Sequence, residues 1–324
     1  MADVFAYLEG FGASGGSPNK STIIVTAPTG STVTCKMGST TKTATEKNGV
    51  WTFGGLDLGT WTITSTKGGD SATQDVVITR LTVEYVTIVY RITPEFAYTG
   101  DYEIVDDSDN PISDFASWKN NWKIRFLTSG TLTFTKLNGW NGQLDVFLVG
   151  GGGNGETIRG ARGGGGGYTK TVKGISIAIA TPYTVTIGAS SGTSSAFGAS
   201  ANGASGANGG SGGGGGSSSG TPGNGGSNGG NGTAGNVSQG GAGQGRTTRE
   251  FGESTGKLYS GGGGGSAAGA GAAGDSTAGA GANFGGAAKN GVANTGGGGG
   301  AAYSGTAGRG GSGIVIARNA RRAA

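Results

Sequence analysis

The 324-residue sequence contains no histidine, one cysteine and 6 prolines, and charged residues make up only 13% of it. The absence of histidine removes the commonest general base and metal ligand and excludes a Ser-His-Asp triad. The lone cysteine, Cys35, cannot form an internal disulfide. The shortage of proline excludes a collagen triple helix, which needs abundant proline beside glycine at every third position. No stretch approaches about 18 consecutive apolar residues, so we expect no membrane insertion.

The N-terminal sequence and the net charge argue against two further classes, secreted proteins and nucleic-acid-binding proteins. The segment after Met1 lacks a basic region followed by an apolar run, so we expect no signal peptide and a product that is soluble or assembles in the cytosol. The net charge is +4. Three of the positive charges belong to Arg318, Arg321 and Arg322 in the tail. Because no broad basic face is evident, we expect no nucleic-acid partner.

Residues 21–92 carry short runs rich in Thr, Val, Ile and Trp, separated by turn signals. Asn48-Gly49 predicts a hairpin turn, because these two residue types tolerate positive φ. The regular spacing of the runs predicts an Ig-like antiparallel β-sandwich. Alternation along the strands predicts that its core contains Trp51, Phe53, Trp61, Ile63 and Cys35.

Glycine accounts for 77 residues, and most of them follow Gly150. Apolar strands bracket this glycine-rich stretch, at Leu144 to Val149 and at Ile314 to Ile316, and we expect them to pair in one sheet. The stretch would then be an insertion with both ends anchored. The predicted organisation is mostly β with little or no α-helix: an N-terminal arm (1–20), the sandwich (21–92), a β platform (93–190, completed by 313–318), the glycine-rich insertion (191–312) and a basic tail (319–324).

Two structures are open to the insertion. It cannot be α-helical, since each interior glycine costs about 0.5–1 kcal/mol relative to alanine. It has too few large side chains for an ordinary core. It is either a flexible linker or a bundle of polyglycine II rods that hydrogen-bond side by side. In such a bundle only glycine fits inside, and Ala, Ser and Asn are expected on the outer faces.

The sequence contains only weak matches to motifs for nucleotide, nucleic-acid or metal binding. Gly150, Gly152 and Gly155 match a dinucleotide-binding fingerprint, but no helix follows. The segment 252–257 lacks the spacing of a phosphate loop, and two isolated Arg-Gly-Gly triplets do not make an RNA-binding segment. The acidic loop with Asp106, Asp107 and Asp109 lacks the spacing of a calcium loop and is expected to be a solvated turn. We expect no enzyme activity, no cofactor and no metal.

Two segments are candidates for binding. Between residues 244 and 259 lies the main concentration of charge and aromatic rings in the insertion, and exposed groups of these types on a rigid support are typical of recognition surfaces. A solvated turn or a plug over the rod ends is the alternative. The candidate receptor contacts in this segment are Arg246, Arg249, Glu250, Phe251, Lys257 and Tyr259. The N-terminal arm is either a flexible tail or an attachment segment that uses Phe5, Tyr7, Leu8 and Phe11.

The order of motifs over residues 95–318 resembles the glycine-rich tail or fibre proteins of phages and prophages. The motifs that carry this resemblance are 96–100, 122–131, 144–153, 163–168, 183–188 and 311–316. A more distant likeness is to tail-fibre tip adhesins, in which a polyglycine II sandwich presents variable loops to the host. That likeness implies further receptor contacts at Asn202, Asn283 and Phe284.

The resemblance implies a phage tail-associated fibre or receptor-binding protein, located in the virion and assembled in the host cytoplasm. Its expected partners are other tail proteins and a host surface polysaccharide or protein. Loss of Arg249 and Tyr259 is expected to reduce adsorption without affecting folding. The alternatives are a purely structural virion subunit and a bacterial surface adhesin. A homotrimer and a fold completed within one chain are both open.

Overall fold

The computed structural model describes residues 20–67, 70–88, 93–115, 118, 121–138, 140–216, 221–226, 230–234, 236, 243 and 248–321. The predicted attachment residues Phe5, Tyr7, Leu8 and Phe11, and also Arg246, lie outside these ranges. The chain divides into two compact units, Met1–Ile92 and Thr93–Ala324. The regular structure of the described residues is β-strand apart from one turn of 3-10 helix, Glu250–Gly252, which confirms the mostly β prediction. None of the described segments forms a helix long and apolar enough to cross a membrane.

Two sheets form the first unit and enclose one core. The three-stranded sheet has the order β4-β1-β7 and the four-stranded sheet the order β3-β2-β5-β6. The pairs are antiparallel except β1 with β7, which run parallel because the chain crosses to the other sheet between β6 and β7. The strands are β1 (Ser21–Thr26), β2 (Thr32–Met37), β3 (Thr40–Lys42), β4 (Val50–Leu56), β5 (Gly59–Lys67), β6 (Asp70–Ile78) and β7 (Val83–Thr87).

The predicted turn and core of this unit are confirmed. Asn48 and Gly49 adopt φ of 52° and 76°, and Lys47 and Val50 bond to each other on either side of them, as in a two-residue hairpin. Burial raises the pKa of the Cys35 thiol to about 11, with the charge of Lys42 acting in the opposite direction. The buried core includes all the predicted residues, Cys35, Trp51, Phe53, Trp61 and Ile63.

The platform of the second unit consists of a five-stranded sheet, β13-β12-β17-β10-β9, and a three-stranded sheet, β14-β11-β8. As predicted, the two bracketing strands pair: Leu148 of β12 lies opposite Val315 of β17. The strands are β8 (Glu95–Tyr98), β9 (Tyr102–Val105), β10 (Lys123–Phe126), β11 (Gly130–Lys136), β12 (Gln143–Val149), β13 (Thr169–Ser176), β14 (Pro182–Val185) and β17 (Ile314–Asn319).

Strand β12 is buried on both faces, because the platform is covered on both sides. Leu144, Val146 and Leu148 point into the core shared with the three-stranded sheet. Phe147 and Val149 point the other way, into a smaller cluster that includes two rings from the glycine-rich insertion. The outer face of the five-stranded sheet is therefore covered by the insertion.

The glycine-rich segments of the second unit form a hydrogen-bonded bundle of rods. Two of these rods, 150–155 and 163–168, precede the predicted insertion (191–312). The rod at residues 163–168 donates to two other rods, through Gly163 to Gly214 and Gly164 to Gly299. It accepts from two more, through the amides of Gly153 and Gly263. A β-strand in a sheet bonds to two neighbours at most, whereas rods of the polyglycine II type bond in several directions. The rods that contact one another in this way are 150–155, 163–168, 209–216, 221–226, 230–234, 260–266, 271–275, 277–282, 287–292, 296–302 and 307–313.

The close approach of the rods depends on glycine. A Cβ on Gly164 would lie 2.0 Å from the Gly153 carbonyl oxygen, and one on Gly299 would lie 2.1 Å from that of Gly308. The expectation that Ala and Ser stay on outer faces is wrong for Ser211, Ser260 and Ala301, which are fully buried. Ser260 fits because its hydroxyl donates to the Gly167 carbonyl, so its polar group is satisfied inside the bundle.

A hairpin of small residues joins the platform to the bundle. It consists of β15 (Ser194–Ala196) and β16 (Ala199–Ala201). Phe197 and Gly198 form its turn with φ of 51° and 75°. The sequence did not predict these strands, because they contain only alanine and serine and lack the β-branched residues that indicate strands.

The rods have two distinct ends. Rod 150–155 continues β12 and rod 163–168 leads into β13, so the turn at residues 156–162 lies away from the sheet. Six residues of polyglycine II span about 19 Å. We call the end that joins the platform strands the base, and the opposite end the tip. The described turns at the tip are 156–162, 267–270, 283–286 and 303–306.

Candidate functional site: a charged cleft at the base and exposed turns at the tip

The predicted recognition segment lies at the base, and its rings are buried. Phe251 is 4% exposed and Tyr259 is 0% exposed. Both pack on Phe147 of β12, with ring centroids 5.8 and 5.5 Å away. Phe251 adopts φ of 54°, a conformation uncommon for a bulky residue, which turns its ring toward the sheet. The segment is a plug, because the outer face of the sheet would otherwise expose its apolar side chains.

The burial of these side chains counts against several of the predicted receptor contacts. Phe251, Tyr259 and Glu250 are buried and cannot reach a receptor from this surface. Arg249 is partly buried and donates to the Gly256 carbonyl oxygen at 2.9 Å, so it braces its own loop. Because Tyr259 is fully buried, its loss is now expected to affect folding as well. Within this segment Lys257 remains exposed.

Beside this plug lies a cleft of about 580 Å³ between the segment and the platform. Four carboxylates and four cations line it, so its formal charges cancel. The remaining lining residues are polar, glycine or the edge of Phe251. The charged lining residues are Asp107, Asp109, Glu250, Glu253, Lys123, Lys257, Arg318 and Arg321.

The floor of the cleft is formed by Lys123 and Arg318, which belong to a row of charged residues in register across three strands. Lys123 of β10 lies opposite Arg318 of β17, which lies opposite Asp145 of β12. All three are buried. Charges at such positions are costly unless they are paired. The loop supplies two of the partners, Glu250 and Glu253.

Lys123 is held between two carboxylates. Its ammonium lies 2.6 Å from Asp109 and 3.1 Å from Glu250. Burial raises the pKa of Glu250 and outweighs the opposing effect of the Lys123 charge. At Asp109 burial also acts to raise the pKa, but the hydrogen bond and charge of Lys123 and the charge of Lys257 lower it overall. Lys257 makes a longer contact with Asp109, at 3.5 Å.

Arg318 occupies the other half of the floor. Its guanidinium lies 3.3 Å from Asp145 and 2.6 Å from Glu253. Arg321 pairs with Asp107 at the rim. Burial lowers the pKa of Arg321, and the like charge of Arg318 adds to this effect while Asp107 opposes it. The charged residues that line the cleft are therefore all engaged in ion pairs, and some of them lie at its exposed rim.

The acidic loop uses its carboxylates within the protein. Asp106 accepts from the Ser108 and Asn110 amides, at 2.8 and 2.9 Å, and these turn contacts lower its pKa, the side-chain bond from Asn110 most strongly. Asp107 and Asp109 pair with Arg321 and Lys123. Among the described residues there is no group of three or more potential metal ligands.

The tip brings together turns that are far apart in sequence. The amide of Ala302 donates to the Glu156 carbonyl oxygen at 3.0 Å, and Ala307 donates to the Thr157 hydroxyl at 3.3 Å. The turn at residues 156–162 is closed by an ion pair between Arg162 and Glu156, in which Nη2 lies 2.5 Å from Oε1. At its crest Ile158 is 60% exposed. This turn therefore presents an apolar side chain on a locked backbone.

Two aromatic rings lie at the neighbouring turns. Phe284 is 72% exposed, and its ring lies 5.3 Å from that of the partly exposed Tyr303. The amide of Gly285 donates to the Ser304 hydroxyl at 3.1 Å and joins the two turns. Asn283 is exposed beside Phe284. The predicted candidates Asn283 and Phe284 thus lie together at the tip.

The remaining candidate, Asn202, lies at the base. Its carbonyl oxygen accepts from the Tyr168 amide at 2.9 Å, next to the start of β13. Its side chain is exposed. The structure therefore separates Asn202 from Asn283 and Phe284 by the length of the rods.

Sequence reasoning missed both the tip residues Ile158 and Tyr303 and the charged floor. A signal for the floor is present, because Arg318 and Asp145 stand within otherwise apolar strands. A signal for Ile158 is also present, since a large apolar residue in a glycine-rich turn cannot enter the lattice. The pairing of Phe284 with Tyr303 had no signal in the sequence, because it depends on which turns the rods bring side by side.

Comparison with known proteins identifies the glycine-rich part of the chain. The chain belongs to the glycine-rich domain family, whose family model matches residues 127–320. The match begins at the end of β10 and ends just after β17, so it covers the bundle together with most of the platform. No curated protein matches the chain.

Proposed function

We propose that this chain is a phage tail-associated protein that presents the tip of its glycine bundle to a receptor on the host surface. One observation carries the proposal: the exposed ring of Phe284, supported by Tyr303, stands on turns that are hydrogen-bonded to a rigid lattice. A large exposed apolar side chain on an ordered backbone is typical of a binding surface.

The tip suits recognition better than the base does. At the base the rings of Phe251 and Tyr259 serve the protein's own core. At the tip Ile158 and Phe284 have no such role, since both are more than half exposed. Arg159 and Asn283 add exposed polar groups next to them. A ligand that carries both apolar and hydrogen-bonding groups could therefore contact apolar and polar side chains at the tip.

The resemblance to glycine-rich phage tail proteins supports the assignment to a tail and to the virion. In this proposal the lattice acts as a support that makes the tip turns costly to deform. Binding would proceed without chemistry, through ring stacking and hydrogen bonds. The other partners would be tail proteins.

The test is binding of the labelled full-length protein to host cells. We expect the double variant Ile158→Ala, Phe284→Ala to bind about tenfold or more weakly, because truncation of hot-spot residues costs about 2 kcal/mol or more. The matched control is Tyr85→Ala, which removes an exposed ring from the other unit (63% exposed, against 72% for Phe284) and should leave binding unchanged.

Two results would contradict the proposal. Unchanged binding of the double variant would remove the tip from the recognition surface. Absence of cell binding by the unaltered protein would instead favour a purely structural tail subunit.

A further inference from the structure

We propose that the cleft at the base is a second binding site and that its ligand is an uncharged, polyhydroxylated saccharide. The inference does not depend on the role of the tip, because the two sites lie at opposite ends of the rods. It also does not depend on the assignment to a phage tail. It rests on the size of the cleft, its balance of charge and the hydrogen-bonding groups left free at its rim.

The cleft has the size of a ligand site. Its volume of about 580 Å³ lies within the usual range of about 300–1,000 Å³ for sites that take small molecules. It opens between the platform and the loop 249–258, and both of its walls are fixed. Lys123 with Glu250 and Arg318 with Glu253 tie the loop to the sheet. The site is therefore preformed.

The balance of charge disfavours a singly charged ligand. Each cation of the cleft already faces a carboxylate, and the four positive and four negative groups cancel. An anion drawn to Lys257 would lie close to Asp109, which contacts the same ammonium. A cation drawn to Glu253 would lie close to Arg318, which contacts the same carboxylate. Either ion would therefore meet a like charge at its binding position.

The rim nevertheless has unused hydrogen-bonding capacity of both kinds. Lys257 has a 46% exposed side chain, and its ammonium makes one long ion pair, to Asp109, and lies 5.9 Å from the centroid of the Tyr259 ring. Glu253 is also 46% exposed and engages Arg318 through one oxygen, Oε1. The hydroxyls of Thr255 and Ser108 have no partner among the residues that the structure describes. A saccharide hydroxyl both donates and accepts hydrogen bonds. The hydroxyls of one saccharide can therefore bond to the ammonium, carboxylate and hydroxyl groups of the rim together.

An apolar ligand does not fit the same surface. The one aromatic ring in the lining, Phe251, is 4% exposed, and the Arg318 guanidinium covers it at 3.9 Å from the centroid. The remaining lining is polar or glycine. Sites for drug-like apolar molecules are lined mainly by hydrophobic side chains. The lining therefore favours a ligand that binds through hydroxyl groups.

The experiment measures saccharide binding to the full-length protein by saturation-transfer NMR and calorimetry. The probes are neutral disaccharides of glucose, galactose, mannose and N-acetylglucosamine, with glucuronic acid and glucosamine as charged comparisons. We expect at least one neutral disaccharide to bind at millimolar concentration with little dependence on salt. The variants Glu253→Gln and Lys257→Gln should each weaken that binding about tenfold, because each removes a charge-assisted hydrogen bond.

The controls keep the result independent of folding and of the tip. Lys289→Gln removes an exposed lysine elsewhere in the bundle and should leave saccharide binding unchanged. The thermal midpoint of Lys257→Gln should match that of the unaltered protein, since Lys123 keeps its two carboxylates. Glu253→Gln loses its ion pair with Arg318 and should have a lower midpoint, while Arg318 keeps Asp145 and the protein stays folded at the temperature of the binding experiment. Absence of binding by every neutral probe would overturn the proposal. So would tighter binding of a charged probe with steep salt dependence, or retention of binding by both rim variants.

Discussion

The guanidinium of Arg318 lies over the ring of Phe251, 3.9 Å from its centroid. Arg318 belongs to the last strand of the platform and Phe251 to the loop that the glycine-rich insertion folds back onto it. Such cation–π contacts contribute about 2 kcal/mol or more when they are desolvated. This pair, together with Asp145 and Glu253 on the same guanidinium, attaches the insertion to the platform near its middle, in addition to its two anchored ends.

Replacement of Arg318 by alanine should therefore destabilise the second unit strongly. The change leaves Asp145, which is 2% exposed, without its cation, and breaking a buried pair costs about 3–5 kcal/mol. Chemical denaturation followed by circular dichroism would measure the loss. Arg309→Ala, which removes an exposed arginine from the same half of the chain, should change stability by less than about 0.5 kcal/mol. Equal stability of the two variants would refute the role given to Arg318.

A methyl group inside the lattice should disrupt it. Gly299→Ala would place a Cβ 2.1 Å from the Gly308 carbonyl oxygen, and because that atom is backbone it cannot move aside alone. We expect a loss of about 3 kcal/mol or a failure to fold. Gly54→Ala in the sandwich is the control, since its nearest neighbour would be 3.9 Å away. Thermal unfolding of both variants checks this, and a Gly299→Ala protein as stable as the control would count against close-packed rods.

The aromatic residues of the base and the tip should differ in their effect on stability. Tyr259 is fully buried against Phe147, so Tyr259→Ala should cost about 3–5 kcal/mol. Phe284 is 72% exposed, and Phe284→Ala should cost less than about 1 kcal/mol. Urea titrations of the two proteins test the contrast. The reverse order would mean that the ring of Phe284, and not that of Tyr259, belongs to the core.

Local pattern was sufficient to predict much of the fold. The Asn48-Gly49 turn, the buried Trp51 and Trp61, and the pairing of β12 with β17 follow from turn chemistry, alternation and the need to anchor both ends of the insertion. The parallel pair of β1 with β7 does not follow from pattern, because it depends on where the chain crosses between sheets. The hairpin of β15 and β16 could not be predicted from the sequence, because its strands contain no large side chains.

The candidate site was predicted less well, for a physical reason. Composition identified the segment 244–259 as unusual, but composition does not tell an exposed ring from a buried one. Phe251 and Tyr259 are buried because the platform sheet has a second apolar face, with Phe147 on it, that needs covering. Phe284 and Tyr303 meet because two turns of the lattice lie side by side, and no local rule predicts which turns do so.

The thiol of Cys35 should report on the first unit alone. It is fully buried, and burial raises its pKa to about 11, so both access and thiolate content are low. We expect an aromatic disulfide reagent to leave Cys35 unmodified at mildly alkaline pH and to react rapidly once denaturant unfolds the sandwich. Rapid reaction of the native protein would contradict the burial of this side chain.

The order of the glycine bundle is the claim on which the tip and the cleft both depend. Hydrogen exchange at the amides of residues 296–302 tests it most directly, because Gly298, Gly299 and Gly300 each donate to a different rod, at 2.8–2.9 Å. The account predicts exchange slowed on the order of a thousandfold or more relative to an unstructured glycine peptide. Exchange at the unprotected rate would show a flexible coil and would contradict the account.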